Sequence, residues 1–514
     1  MKIGYAMLYP YRGSIQNMIF LSELFKKQGH QNFFLKCNAS VPYCYNRMIK
    51  GTSKLVECTK CFAGGVDTFN VENVTSIDKR LRLKLSEELR FDIVSSSSYS
   101  LHRIETDEDC SSKAVLDTQD KLKPLAEIVY ANALKWIEDN ELKLVFIFNG
   151  RLDMPRAVLK ACESKGIPFI TFEAAYPGVA LEVNDDCRSL KSLHKIIGEF
   201  IGKPLKLSQA VFSAEIANQM LSKSNLVWRL YNTDPLPASW PSNGRQKILI
   251  VPSSNHELKG ADAWTPAWKH PLEGVEAVLS KLNIDFSNCV IRSHPNWSEN
   301  IGVSLDGSKS ERVYVDWATR NGAVIIPSSS KINTIDLIRQ ADIVIVQYGT
   351  AGIEAGLLGK KVIGLSPSWY STSGFSSQVH SPHDFGALSF LETHDADDVI
   401  RRSLRFIYCF HKRCAQYVNF IRPLNTYENE YNLDADVSSI LNAVRDNFFT
   451  ADDPEYAEEL DDENLVIDKF RSQDLDWFGE HKDHGFSTAF KKIERRVYFR
   501  WIDKVRPIFK AGDR

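Results

Sequence analysis

The stretch Asp336–Tyr370, DLIRQADIVIVQYGTAGIEAGLLGKKVIGLSPSWY, decides how the fold is read. DLIRQAD has the spacing of a short amphipathic helix. IVIV, residues 343–346, is a continuous β-branched run, the pattern of a strand covered on both faces. QYGTAG is a turn of small and polar residues. IEAGLLG opens a helix that Gly359 closes, and KKVIGL is a second buried strand with SPSWY as its exit loop. Strand, glycine-bearing turn, helix and strand make a βαβ unit, and open α/β sheets hold ligands at the carboxyl ends of such strands. The turn is therefore a candidate ligand loop. Gln347 and Tyr348 lead into it, and Gly349 and Gly352 allow close backbone approach. The amides of Thr350, Ala351 and their successors would leave the helix N-terminus, where the dipole favours phosphate. Glu354 suits a neutral donor such as a ribose hydroxyl.

Upstream, PLPASWPSNG reads as a Pro/Ser linker, and QKILIVPSSNHE starts the domain to which the βαβ unit belongs. ILIV is its first strand, followed by Ser253, Ser254 and Asn255. PLEGVEAVLSKL is a helix. CVIRSHPNW is a strand running into Arg292, His294 and Asn296, and AVIIPSSS a strand ending at Ser328. Four loops, PSSN, RSHPN, PSSS and QYGTAG, thus lie at strand carboxyl ends. Their hydroxyls and amides suit the phosphates of a nucleotide diphosphate, and Arg292 or His294 can offset charge developing on a leaving phosphate. Proline after His294 fixes that residue on a rigid turn.

The N-terminal half repeats the grammar. KIGYAML is a strand, MIFLSELFKKQGH a helix and NFFLKC a strand, with Arg12, Gly13 and Ser14 expected at the first strand-to-helix turn, either facing the acceptor substrate or the cleft or forming an ordinary turn. VFIF, the turn NGR, the helix MPRAVLKACESKG and the strand PFITFE follow. Asn149, Gly150 and Arg151 then sit on a carboxyl-end loop, and Glu173 ends the next strand on the same rim. A basic side chain and a carboxylate placed there indicate a reaction cleft and contacts to a second substrate. The region from Val66 to Asp120, including VSSSSYS, reads as polar and irregular. Cys37, Cys44, Cys58 and Cys61 form two short-spaced pairs, one a CxxC, so a structural zinc is one expectation and free thiols the other.

The chain has 514 residues, 43% hydrophobic and 25% charged, with a formal net charge of -2, which is ordinary for a soluble globular protein and gives no pull towards nucleic acid. No run approaches the roughly 20 apolar residues of a membrane span, and no secretory signal opens the chain, so a cytoplasmic protein is expected. Beyond residue 385, helix-like segments lead to an acidic run, ADDPEYAEELDDENL, expected as a solvated linker. The tail FSTAFKKIERRVYFRWIDKVRPIFK mixes aromatics with Lys and Arg; it is expected either on an anionic membrane surface, making the protein peripheral on the inner face, or docked on protein.

Two Rossmann-like halves, the HPN turn and QYGTAGIEAGLLGKKVIGLSPSWY together resemble a GT-B glycosyltransferase, and more narrowly the capsule and lipopolysaccharide biosynthesis transferases of bacteria. The match runs best from Lys247 to Tyr370 and extends to Asn149–Glu173. The resemblance implies an α/β, GT-B-like fold: an acceptor-side domain over residues 1–235, a nucleotide-sugar domain over 236–385 and a helical extension over 386–514. It implies a donor nucleotide-sugar (UDP-, GDP-, dTDP- or CMP-linked) and a glycan or glycolipid acceptor. His294, Arg292 and the base candidate Glu173 would be catalytic. Relatives using CMP-Kdo carry an acidic-acidic-glycine motif, and Glu173, Ala174 and Ala175 keep only its first acidic residue, so the donor stays open. A UDP-sugar 2-epimerase and a non-catalytic assembly or export factor are the alternatives.

Overall fold

A computed structural model of the chain describes residues 1–10, 12–175, 178–224, 235–241, 246–298, 308–414, 420–425, 428–481 and 490–505; of Arg12 and Gly13 it describes the backbone alone. The β-branched and aromatic runs form two six-stranded sheets. The first contains β1 (Lys2–Met7), β2 (Gln31–Lys36), β3 (Val74–Ser76), β4 (Leu144–Phe148), β5 (Phe169–Ala175) and β6 (Gly178–Val183), in the order β3-β2-β1-β4-β5-β6. All pairs are parallel except β5 with β6. The second contains β7 (Ile248–Val251), β8 (Cys289–Arg292), β9 (Val324–Ile326), β10 (Ile343–Val346), β11 (Lys361–Gly364) and β12 (Ser377–Gln378), ordered β12-β11-β10-β7-β8-β9 and wholly parallel. Counted from each domain's first strand, both sheets follow the Rossmann order 3-2-1-4-5-6, so each has its topological switch point between its first and fourth strands.

These are two Rossmann-like α/β domains facing a cleft, the GT-B-like architecture expected from the sequence. IVIV is β10, and all four of its residues are buried, as a strand between β7 and β11 with helices on both faces must be. Helices Thr334–Gln340 and Ala351–Leu357 flank it. The described part of the Pro/Ser linker is strapped to the first of these: Ala238 N donates to Asp336 Oδ2 (3.2 Å) and Trp240 N to Gln340 Oε1 (3.0 Å).

Several segments differ from the sequence reading. Helix α1 (Arg12–Lys27) begins at Arg12, so Arg12, Gly13 and Ser14 form its first turn rather than a loop. Cys58 and Cys61 lie one turn apart on α3 (Lys54–Gly64), beyond the short helix α2 (Tyr45–Lys50). VSSSSYS lies within the regular helix α4 (Glu87–His102), with Ser96, Ser97, Ser98 and Ser100 buried. Serine alone favours turns, but here small hydroxyls let α4 pack closely against helices Lys113–Asp139 and Asp153–Lys165.

Helices Lys191–Phe200 and Leu207–Ser222, which precede residue 235, bury Ile197, Phe200, Val211 and Met220 in a core shared with Leu249 and Val344. The C-terminal extension has helices Ala396–Tyr408, Ser438–Asp446 and Asp461–Arg471, and also a three-stranded antiparallel sheet, β13 (Ile421–Asn425), β14 (Glu428–Asn432) and β15 (Phe490–Lys491). Ile421, Tyr431, Ile440 and Phe449 from this extension join the core of the first sheet. The acidic run is not a solvated linker. Glu463 is buried against Arg405, at 2.7 Å and 2.8 Å, and accepts from Leu205 N at 2.8 Å. Of the basic tail, residues 490–505 are described: Arg495 is buried and donates to Ala63 O, while Val497, Tyr498 and Trp501 are exposed. The remainder of that stretch lies outside the described residues. No described helix is long and apolar enough to cross a membrane.

Candidate functional site

The switch points of the two sheets open on the same cleft. On the N-terminal side, β4 ends in Asn149 and Gly150, both in the left-handed region at φ 66° and 75°. This double reversal suits the Asn-Gly pair, and a Cβ at Gly150 would also press on Thr171 Cγ2 at 2.7 Å. Asn149 Oδ1 accepts from the amides of Arg151 (3.0 Å) and Leu152 (3.1 Å), holding the turn, and its Nδ2 donates to the Glu173 carboxylate. One asparagine thus fixes both the loop and the carboxylate. Arg151 is buried and donates to Ser96 Oγ (3.1 Å) and Ser100 Oγ (2.9 Å), while its other nitrogen lies 3.7 Å from Glu257 of the opposite domain. Glu257 is open to the cleft, its side chain 63% exposed.

On the C-terminal side three of the four expected loops are knitted together. Ser254 Oγ donates to Asn296 Oδ1 (3.0 Å) and accepts from Trp297 Nε1 (2.8 Å), and His294 Nδ1 lies 2.6 Å from Asn296 Oδ1. Tyr348 donates to Ser254 O and to Asn255 Oδ1 (3.0 Å), and Ser253 N donates to Gln347 Oε1 (2.7 Å). Burial pushes His294 down to about 4, with the Arg292 and Arg103 charges adding to the fall, so the ring is neutral at pH 7. Burial lowers His256 to about 4 as well, and its Nδ1 is enclosed with no hydrogen-bond partner among the described residues.

Several expected site residues are differently employed. Arg292 is 2% exposed and its guanidinium donates to Ser293 O (3.2 Å), Pro327 O (2.7 Å) and Ser330 O (2.9 Å). It braces loops from behind and does not face the cleft. Ser328 is held by Glu311 through both its amide (2.6 Å) and its hydroxyl (2.7 Å), so the PSSS loop stands apart from the other three. Glu354 is buried in an ion pair with Lys223 and is approached by Thr350 Oγ1 at 3.5 Å. Gly352 answers to packing: a Cβ there would collide with the Tyr370 ring, whose hydroxyl donates to Gly349 O at 3.1 Å. A Cβ at Gly349 would meet Ser253 Oγ at 2.9 Å. Ala351 begins a helix of seven residues. The Arg12 side chain and the surroundings of Gly13 lie outside what the structure describes.

The sequence reading missed Glu105. The loop after α4 reaches across to the other domain, where Arg103 donates to Asn296 O (3.0 Å) and Glu105 accepts from Asn255 N (3.1 Å) and Ser310 Oγ (3.1 Å). Enclosure between the domains raises Glu105 to about 8, outweighing the two donors and Arg103, so this carboxyl is protonated at pH 7. Trp264 was also missed. Its Nε1 donates to Arg188 O (2.6 Å) across the cleft, and its ring packs edge-on against Tyr348 and Trp369 at 5.6 Å and 6.0 Å. Neither residue lies in a periodic segment, and neither had a sequence signal.

Cys37, Cys44, Cys58 and Cys61 line one cavity, yet among the described residues no three His, Cys, Asp or Glu side chains are arranged to hold a metal ion. The zinc expectation therefore has no assembled ligand set: Cys58 and Cys61 are spread along one helix face, and buried Asn46 lies beside Cys61 at 3.6 Å.

Neither a protein-family model nor a curated protein matches the chain. Solved structures with some similarity to the chain include the KpsC β-Kdo 2,4-transferase of Thermosulfurimonas dismutans (13% identity, 59% of this chain and 87% of that one, TM-score 0.31). They also include the Neisseria meningitidis UDP-GlcNAc 2-epimerase bound to UDP-GlcNAc (11%, 82% and 98%, TM-score 0.27) and the spinosyn rhamnosyltransferase SpnG with spinosyn aglycone (10%, 82% and 99%, TM-score 0.26).

Proposed function

We propose that the protein is a glycosyltransferase that binds a nucleotide-sugar on the C-terminal rim and passes the sugar to a glycan or glycolipid acceptor on the N-terminal rim. The observation that carries this reading is the facing pair of switch-point loops: an oriented carboxylate, Glu173, on one side and the Ser254–Asn296–His294 set on the other. In the reaction, the acceptor hydroxyl oxygen bonds to the anomeric carbon as that carbon's bond to the phosphate oxygen breaks. The nucleotide leaves as a phosphate anion. If configuration is inverted, Glu173 takes the hydroxyl proton. His294 takes a proton from solvent as phosphate charge develops beside it, and His256 Nδ1, without a partner among the described residues, supplies a further group for the donor. Arg151 holds Glu257 and the rim in register. Glu354, tied to Lys223, contacts the ribose only by sharing that pair.

The donor is one of UDP-, GDP-, dTDP- or CMP-sugar, and the product belongs to a surface polysaccharide. The exposed Tyr498 and Trp501, among tail arginines and lysines, bring the enzyme to the inner face of the membrane. Tyr498→Asp with Trp501→Asp is then expected to abolish binding to anionic liposomes, and unchanged binding removes the membrane role. The transferase reading is tested by incubating the protein with each nucleotide-sugar, with and without a polysaccharide acceptor. Acceptor-dependent nucleotide release supports it. Conversion of UDP-GlcNAc to its 2-epimer without acceptor replaces it with the epimerase reading.

A further inference from the structure

Beside the cleft, the N-terminal domain holds a cavity of about 550 Å³ that the reaction above does not use. It lies at the carboxyl ends of β1 and β2, the rim where open α/β sheets take ligands. Met7, Leu8, Val41 and Met154 line it from the body of the domain, and Leu55, Thr59 and Phe62 from α3. Burial raises the Cys44 thiol above its ordinary range and Cys61 to about 12, so these groups stay protonated and act as small apolar lining.

Two features ask for an amphiphile. Leu55 and Phe62, seven residues apart on one face of α3, border the cavity at 79% and 53% exposure. Helix α3 cannot turn them inward, because Ser53 caps its start (Oγ accepts from Val56 N at 3.3 Å) and the buried Glu57 is fixed by Asn46 at 3.0 Å and Thr52 at 3.0 Å. The lining charges, meanwhile, do not cancel. Lys36 and Asp67 neutralise each other at 2.6 Å, whereas Arg47 and Lys54 have no carboxylate partner among the described residues. An apolar cavity with an excess of positive charge fits an apolar chain or ring system bearing an acidic group.

The cavity is also one residue away from the cleft. Tyr9, in its wall, donates to Asp153, which accepts from Tyr45 N at 2.9 Å; Tyr45 follows the lining Cys44 and feels both Arg151 and Glu173. We infer that this cavity is a binding site for an acidic amphiphile, and that it seats the aglycone end of the acceptor while the acceptor hydroxyl reaches Glu173. The acceptor role rests on the transferase reading; the binding does not.

The cavity thiols supply the readout. The full chain is alkylated with N-ethylmaleimide while dodecyl phosphate is titrated below its micelle threshold, and each cysteine is followed by peptide mass spectrometry. Alkylation of Cys58 is expected to slow, with Cys110, outside the cavity, unchanged. Dodecanol and dodecyltrimethylammonium protect less. Thr59→Trp, which fills the cavity, and Leu55→Asp, at a position too exposed to threaten folding, each remove the protection. Lys54→Glu removes the preference for phosphate over alcohol. Absence of protection, equal slowing at Cys110, or protection surviving both Thr59→Trp and Leu55→Asp overturns the inference. Nucleotide binding is measured on the same preparation. Protection without nucleotide binding keeps the amphiphile site and overturns its acceptor role. Nucleotide binding without protection overturns the site and leaves the transferase reading standing.

Discussion

The two sheets share one strand order, and the loops at their carboxyl ends differ in kind. The N-terminal rim is built from charged groups held by short polar contacts: Asn149 grips Glu173, and Ser96 and Ser100 grip Arg151. The C-terminal rim is built mainly from hydroxyls, amides and neutral histidines, knitted through Asn296 and Ser254, with Glu257 as the carboxylate open to the cleft beside them. Topology fixes where both rims open, and the two rims differ in the groups they present there. On the proposed reading the oriented carboxylate moves a proton, and the hydroxyls and amides opposite receive phosphate.

The largest expected effect comes from breaking that division on the N-terminal side. Glu173→Gln keeps the shape and an acceptor for Asn149 Nδ2, so nucleotide binding should persist while the transfer rate falls by about 10²- to 10⁴-fold, read as initial rates at saturating donor. Equal loss of nucleotide binding would dissolve the contrast between the rims.

The second effect concerns what holds the C-terminal domain. Glu463→Ala strips a buried arginine of its partner and should cost about 3–5 kcal/mol by urea unfolding, since Arg405 is left charged and enclosed. A loss below about 0.5 kcal/mol, typical of an exposed acidic linker, would contradict the docking of that segment.

Gly352→Ala sharpens the reading of the QYGTAG loop. The new methyl meets Tyr370, so overpacking should cost about 1–3 kcal/mol of stability, and Tyr370→Leu should recover part of it. A variant of full stability that has lost nucleotide binding would return Gly352 to the ligand.

A further effect is the pH dependence of the bridge between the rims. Glu105 titrates near 4.5 when exposed and near 8 when enclosed, so the folded chain holds a proton that the unfolded chain releases. Stability should therefore fall as pH rises from about 4.5 to 8, by at most about 1.4 kcal/mol per pH unit, and level off above. Melting curves across this range should be flatter in Glu105→Gln. Identical curves would place the carboxyl in solvent.

The division between the sheets was legible where periodicity carried it. IVIV announced a central strand, and the loops after VFIF and ILIV fell on the rims because turn residues follow continuous apolar runs. Arg292 misled because a charged residue at a strand end reads as facing solvent. Its direction was set by the carbonyls of Pro327 and Ser330, some 35 residues on in the chain, which no local pattern contains. VSSSSYS misled for a related reason: the packing that makes its serines helical comes from two other helices and from Arg151. Glu105 had no signal because its partners, Asn255 and Ser310, belong to the other domain.

The measurement that bears most directly on the central claim is a thermal-shift screen with UDP, GDP, CMP, CDP and dTDP at pH 6 and pH 8, on the wild type, His294→Ala and Glu173→Gln. A ligand that binds only the native state raises the melting temperature with its affinity. One nucleotide should stabilise the wild type and Glu173→Gln alike, more at pH 6 than at pH 8, because binding phosphate draws a proton onto a His294 that is otherwise neutral. The same nucleotide should stabilise His294→Ala weakly and without pH dependence. No shift from any nucleotide, or an equal shift in His294→Ala at both pH values, would contradict the assignment of the C-terminal rim to the donor.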